Sequence, residues 1–283
     1  MRTTTASRGS FSPTPGWPMN CVPTSDPPVD LTDDGFLGGR LRLKQPVSGH
    51  RAGHDAILLS AATPARPGDR VVEFGAGVGA AGLALARRVP DIELAMVEID
   101  PGLAGLAAAN AAANGIAARA VALDVGAGAR AFAAAGLRPD CADIVLMNPP
   151  FNHPSRQNAS PQAARRTAHV ASETTLATWV HAARRILRPG GKLTLIWRAD
   201  GLAEVLAALG RGFGGVAIQP VHGKASRGKA TLPAIRILAG ATKGARAPLR
   251  LFESLRLNDA AGQPDPAAQA ILAGDAPLPM GHL

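Results

Sequence analysis

An open, doubly wound α/β fold is what this sequence predicts, on three observations. From residue 70 onward, short apolar runs alternate with Ala-rich segments of helical length, the rhythm of βα units. Most of those segments close on Gly, Pro or Asn, as helix stop signals require. A glycine-rich turn also joins the first apolar run to the first helix after it. Together these imply a Rossmann-like, mostly parallel sheet of seven strands with helices on both faces.

Along the chain, residues 1–30 are rich in Ser, Thr and Pro and lack the continuous apolar core of a secretory signal. They are expected to be a disordered tail, with Met19 an alternative start, and residues 31–283 to form one domain. The expected strands are Arg70 to Phe74, Glu93 to Glu98, Ala118 to Leu123, Asp143 to Met147, Lys192 to Trp197, Val216 to Pro220 and Thr231 to Leu238. The expected helices are Gly79 to Val89, Pro101 to Asn114, Gly128 to Ala135, Thr174 to Leu187 and Leu202 to Leu209. Arg188-Pro-Gly-Gly reads as a turn entering the fifth strand.

Composition narrows the class. With 283 residues, 46% of them hydrophobic, the chain can bury one substantial core. No run approaches the roughly 18 consecutive apolar residues of a membrane span, so no membrane partner is expected. The formal charge of +9 favours an anionic partner, because surplus Lys and Arg attract phosphate and release its counterions. Cys21 and Cys141 belong to no CxxC or Cys/His cluster, which implies neither disulfide nor metal and suits a cytoplasmic protein.

Glu73-Phe-Gly-Ala-Gly-Val-Gly79 follows a Val-Val strand and opens a helix. In that context Gly75, Gly77 and Gly79 let the backbone turn tightly and present N–H groups to a close, partly anionic ligand. Gly77, Gly79 and Gly82 also satisfy the dinucleotide pattern GxGxxG, so a nicotinamide cofactor stays open at this point. Glu98 closes the second strand roughly 20 residues later, where a carboxylate accepts the ribose hydroxyls of an adenosine. Asp124 ends the third strand and suits the adenine amino group, or else simply caps a turn. Asp100 reads as the cap of the helix starting at Pro101.

The fourth strand runs directly into Asn148-Pro149-Pro150-Phe151, at the carboxyl edge where open α/β sheets bind ligands. Two prolines fix φ and offer no N–H, so this loop is stiff and presents acceptors. The Asn148 side-chain oxygen and the Pro149 carbonyl suit the two N–H bonds of a planar amino group. The nitrogen lone pair then faces away from the loop toward an incoming methyl group, and Phe151 stacks on the flat target. Such a base must be unstacked from its neighbours. S-adenosylmethionine is therefore the expected cofactor.

In these residues the sequence resembles the bacterial family that methylates N6 of adenine 37 in a valine tRNA. The resemblance runs from about Gln45 to beyond residue 270 and includes RAGHDAILL from Arg51, EFGAGVG, NPPF, the segment Ala164 to His169, RPGGKLTLIWRAD and Lys243 to Arg250. It implies that Gly75, Gly77 and Gly79 carry the methionine moiety, Glu98 the ribose and Asp124 the adenine. It also implies that residues 148–151 hold the target base and that Gly53 and Asp55 line the cofactor pocket from the N-terminal side.

Arg156, Arg165, Arg166 and His169 follow the loop and suit phosphates flanking a flipped base. Lys224, Arg227, Lys229, Arg236, Lys243, Arg246 and Arg250 form a second basic stretch nearly free of acids, read as a further RNA footprint. A solvated strand edge is the alternative for any one of them. Two other enzyme readings keep the same loop: methylation of guanine N2 in ribosomal RNA, and of a glutamine amide in a release factor. A non-catalytic RNA-binding protein of the same fold is the reading outside enzymology, and His50 and His54 lack the partners of a metal site.

Overall fold

A computed structural model describes residues 30–48, 51–150, 175–223, 232–259, 261–278 and 280. Residues 1–29 of the expected tail, Cys21 among them, lie outside these. The chain opens with an antiparallel hairpin, β1 (Leu31–Phe36) and β2 (Leu41–Pro46), followed by α1 (His54–Ala62). Next come β3 (Arg70–Phe74), α2 (Ala80–Arg88), β4 (Glu93–Glu98), α3 (Pro101–Ala113), β5 (Ala118–Ala122), α4 (Ala129–Ala134) and β6 (Ala142–Met147). A helix whose described part covers residues 175–186, α5, leads into β7 (Leu187–Arg198). Then follow α6 (Leu202–Leu209), β8 (Phe213–His222), β9 (Arg236–Lys243), β10 (Arg250–Leu251), β11 (Leu255–Arg256) and α7 (Pro266–Ala273).

The main sheet runs β10-β8-β9-β7-β6-β3-β4-β5, with β11 also on β8. The pairs from β7 through β6, β3 and β4 to β5 are parallel, and β9 lies antiparallel between β7 and β8. Six strands match the expected ones, the seventh is shifted along the chain, and the two-residue strands β10 and β11 extend the sheet to nine. After β3 the chain winds outward through β4 and β5, then returns to β6 on the other side of β3. The boundary between β3 and β6 is thus the topological switch point, where diverging connections leave a crevice at the carboxyl ends of the strands.

Side chains alternate across this sheet. Val71, Leu94, Met96, Ile144 and Leu146 join a core layer with α1, α2, α3 and the hairpin, while Val72, Val97, Val145 and Met147 join the layer under α4, α5 and α6. Both faces are buried, so the central strands read as unbroken apolar runs. At the opposite edge of the sheet from the crevice, Asp143 accepts from the Arg70 backbone N–H at 2.9 Å and from Arg70 Nε at 3.0 Å, and pairs with Arg188. Burial pushes the Asp143 carboxyl up, but these donors prevail and hold it at about 2. One carboxylate thereby ties β3, β6 and β7 together.

Two sequence expectations shift. The last long strand was expected from Thr231 to Leu238 and lies at Arg236–Lys243. Ala239-Gly240-Ala241-Thr242 has weak strand propensity, yet it pairs with β7 on one side and β8 on the other, and tertiary pairing overrides propensity. Arg188-Pro-Gly-Gly falls inside the bounds of β7 but still turns. The register with β6 jumps from Ala142↔Leu187 to Ile144↔Lys192, and Gly190 has φ of 76°.

Candidate active site

The carboxyl ends of β3, β4, β5 and β6, the start of α1 and residues 175–179 of α5 surround a cleft of about 1410 Å³. Its wall includes Gly53, Asp55, Glu73, Gly75, Gly77, Glu98, Asp124, Asn148, Pro149 and Pro150, so most of the residues singled out from the sequence meet here. Gly79 does not reach this wall. It caps α2 with φ of 87°, and a Cβ there would meet Met96 Sδ at 2.8 Å and Leu83 Cδ1 at 3.1 Å, so it serves close helix–strand packing. Phe151, Arg156, Arg165, Arg166, Lys224, Arg227 and Lys229 lie outside the described residues.

Glu98 stands at the end of β4 and is buried. Its Oε2 accepts from the Gly77 N–H at 2.8 Å and its Oε1 from the Asp100 N–H at 3.0 Å, so it fixes the glycine turn from the neighbouring strand. Asp100 caps α3 by accepting from Gly102 and Leu103 N–H, with Pro101 in the first helical turn. Asp124 lines the cleft and also accepts from the Gly126 N–H at 2.7 Å, which closes a small Asx turn. Beside Glu98, Ile99 is 65% exposed although large and apolar, and it borders the same cleft.

Glu73 is the most perturbed group of the site. It is 4% exposed, and its Oε2 accepts from the Gly82 N–H at 2.9 Å at the N-terminal end of α2. A Cβ at position 82 would stand 2.5 Å from that oxygen, so glycine is what admits the carboxyl. Burial raises its pKa to about 8, helped by the Glu98 charge and opposed by the N–H groups of Gly82 and Ala81.

Across the switch point, Phe74 of β3 pairs with Met147 of β6, so Gly75 and Asn148 leave adjacent strands side by side. The Asn148 Oδ1 is buried and has no hydrogen-bond partner among the described residues. Trp179 of α5 covers the glycine turn: a Cβ on Gly75 would meet its ring at 2.4 Å, and φ of 66° independently favours glycine there. Trp179 also stands edge-on to Phe74, with ring centroids 6.4 Å apart. Thr175 and Thr178 of the same helix complete this wall.

On the far side, Arg236 at the start of β9 lines the cleft and donates through Nε to Asp55 Oδ2 at 2.9 Å. Arg51 also lines it, held by the Pro46 carbonyl at 2.7 Å, by Thr32 Oγ1 at 2.9 Å and by Asp34. The second basic stretch does not form one face. Lys243, at the other end of β9 and roughly 24 Å from Arg236 for a strand of this length, pairs with Asp140 and the Leu187 carbonyl.

Trp179, Thr175, Thr178 and Ile99 were not singled out from the sequence. Trp179 belongs to a helix whose apolar spacing reads as ordinary core, and nothing local marks it as facing the glycine turn. Among the described residues there is no cluster of three or more His, Cys, Asp or Glu fit to hold a metal ion, and no helix long and apolar enough to cross a membrane. Cys141 is a free thiol.

Residues 52–222 match the family model described as "methyltransferase small domain". Among curated proteins, the chain is 29% identical over 199 residues to a tRNA1(Val) (adenine(37)-N6)-methyltransferase of Tolumonas auensis, covering 69% of this chain and 78% of that protein. It is 30% identical over 188 residues to the protein of the same name from Porphyromonas gingivalis, covering 62% and 69%. Among solved structures, one described as a predicted O-methyltransferase from Agrobacterium tumefaciens superposes with a TM-score of 0.64 at 29% identity, over 79% of this chain and 98% of that one. The matched region begins just before α1 and ends with β8, taking in β3, β4, β5 and β6, whose carboxyl ends border the cleft. This chain belongs to the methyltransferase small domain family.

Proposed function

We propose that this protein methylates an exocyclic amino nitrogen, N6 of an adenine in tRNA, with S-adenosylmethionine as methyl donor. The observation that carries the reading is the Asn148 side-chain oxygen: a buried acceptor, on a residue that lines the cleft, without a partner among the described residues. It is followed by two prolines that have no N–H to satisfy it. A buried acceptor left in this state calls for a donor from a ligand. A planar NH₂ group supplies one N–H to Asn148 and a second to the Pro149 carbonyl.

The residues of the cleft fit the donor. Gly77 has open space where a Cβ would stand, so a ligand can approach the backbone. Glu98 keeps acceptor capacity for ribose hydroxyls after taking the Gly77 and Asp100 N–H groups, since a carboxylate offers about four lone-pair sites. Ile99 and Leu123 supply apolar edges for a flat adenine, with the Asp124 carboxylate beyond them. Glu73, Gly75 and Asp55 border the end left for the methionine moiety. Residues 31–283 act as one domain in this reading, with the segment around Gly53 covering the cofactor.

S-adenosylmethionine supplies an electrophilic methyl group on a positively charged sulfur. Asn148 and Pro149 hold the target nitrogen by its two N–H bonds, which turns its lone pair toward the neighbouring glycine turn. The nitrogen becomes acidic as its lone pair is consumed, so its proton can leave late to water and the site needs no strong general base. The names borne by the Tolumonas and Porphyromonas relatives support adenine N6 and tRNA, as does the net charge of +9. A tRNA substrate makes the cytoplasm the place of action.

Asn148→Ala tests the carrying observation. Losing one positioned group of this kind costs roughly 100-fold or more in kcat. Radiolabel transfer to tRNA should fall by about that factor, while calorimetric affinity for S-adenosylhomocysteine stays within about twofold. Unchanged turnover contradicts the reading.

A further inference from the structure

We infer that the edge of the sheet opposite the cleft is a second RNA interface, in which Arg66, Lys192 and Arg250, with Arg246 beside them, take backbone phosphates remote from the methylated nucleotide. The inference rests on the methyl-transfer reading for the identity of the RNA and adds a contact that the cleft does not supply.

Register supplies the first argument. Val71 of β3, Ile144 of β6, Lys192 of β7, Thr242 of β9 and Gly214 of β8 stand in one row across the sheet. Val71 and Ile144 belong to the layer with α1 and α2, so Lys192 stands on that face as well. Arg66 lies in the turn that leads from α1 into β3, where Asp69 accepts from its backbone N–H at 2.8 Å. At the other end of the row, the backbone of Ala245 and Arg246 packs on Gly214 and leaves no room there for a Cβ. Arg250 pairs with Ala217, a residue of the same buried layer. Lys192 and Arg250 are three strand spacings apart, about 14 Å.

Charge supplies the second argument. Arg66, Arg246 and Arg250 are exposed and Lys192 is half-buried, and none of the four forms an ion pair among the described residues. Other cations of this edge are engaged, Arg70 and Arg188 with Asp143 and Lys243 with Asp140. Burial holds the Lys192 ammonium below the ordinary lysine value, and Arg66 and Arg250 press in the same direction against Asp69. Basic residues on an edge strand can serve to prevent pairing, but β7 lies between β6 and β9, so Lys192 has no edge to guard. Cations gathered in this way favour a polyanion, and a stripe of this width meets successive phosphates rather than one small anion. Ile144 precedes Asn148 by four residues, roughly 13 Å along the strand, which sets the stripe apart from the target base.

Filter retention of unmodified tRNA on the full chain, over a range of salt, reads these contacts. Arg66→Gln combined with Arg250→Gln removes two exposed side chains that make no hydrogen bond among the described residues. Losing two phosphate contacts should lower the slope of log affinity against log salt by about 1.4 to 1.8 and weaken binding about 25-fold or more at about 0.1 M salt. Arg66→Lys combined with Arg250→Lys should restore the slope, because the contact is one of charge. With whole tRNA the KM of the glutamine variant should rise while kcat stays within about twofold. A short hairpin cut around the labelled adenine should bind both proteins within about twofold.

An unchanged slope in the glutamine variant overturns the interface, and loss of binding to phosphatidylserine vesicles in that case assigns the stripe to a membrane surface instead. An equal loss of affinity for the short hairpin also overturns it, since the residues would then act at the target nucleotide. Wild-type protein that binds tRNA with the expected difference in slope but labels none contradicts the methyl-transfer reading and leaves the interface standing.

Discussion

A carboxyl group closed into the N-terminal end of a helix beside a second carboxylate is poised to hold a proton at neutral pH. Glu73 is in that position, with a pKa near 8 set first by burial. A folded-state value raised above the ordinary 4.5 means that protonation favours the native state. The stability this group contributes is fully present below 4.5 and is lost as pH rises through about 8. Glu73→Gln mimics the protonated form, so the wild-type melting temperature should fall relative to the variant between pH 5 and pH 9. Thermal melts at fixed ionic strength check this, and parallel curves would contradict it. Asn148 shows the reverse case, a polar atom left unpartnered by the described residues, and its loss is expected in turnover rather than in folding.

At the scale of elements, α3 organises the cleft from behind. Asn110 and Asn114, one turn apart, hydrogen-bond the backbone of β2 as a neighbouring strand would. Asn110 donates to the Lys44 carbonyl and accepts from its N–H, and Asn114 does the same for Arg42. Asn110 is 1% exposed and also donates to the Val78 carbonyl at 3.0 Å, which joins the hairpin to the glycine turn. Asn110→Leu should destabilise the protein by about 1–3 kcal/mol, because it strands buried backbone groups. Urea unfolding measures that loss, and a change under about 0.5 kcal/mol, the usual range for a surface substitution, would show that the side chain is not needed there.

The same elements show what was legible beforehand. The βα rhythm gave β3, β4 and α6 to the residue, and Asp100 followed by Pro101 announced α3. The hairpin was missed because only β2 alternates, burying Leu41, Leu43 and Gln45, while β1 carries Asp33, Asp34 and Gly35. Helix α7 carries legible signals, an Asp265 cap, Pro266 in the first turn and Gly274 in the left-handed conformation after its end. Those signals went unread among the Ala and Pro of the C-terminal part. The glycine turn, Glu98 and the loop at Asn148 were legible because each needs a particular residue type at a strand end. Trp179 and the Arg236–Asp55 pair were not, since 181 residues separate those two partners and only the fold brings them together.

At the scale of the whole molecule, the sheet arranges chemistry in space by strand order. Outward winding through β4 and β5 places Glu98 and Asp124 along one side of the cleft, and the return to β6 sets the Asn148 loop beside the glycine turn. The antiparallel β9 then brings Arg236 to the cleft and carries Lys243 to the opposite edge. A net charge of +9 does not by itself locate a nucleic-acid surface, and β9 shows why, with one end at the cleft and the other engaged in structure. The central claim, methyl transfer to adenine N6, is tested most directly by incubating the purified protein with labelled S-adenosylmethionine and unmodified tRNA, then digesting the RNA and identifying the labelled nucleoside by mass spectrometry. The account predicts N6-methyladenosine; N2-methylguanosine, or label found only in ribosomal RNA or a release factor, would contradict it.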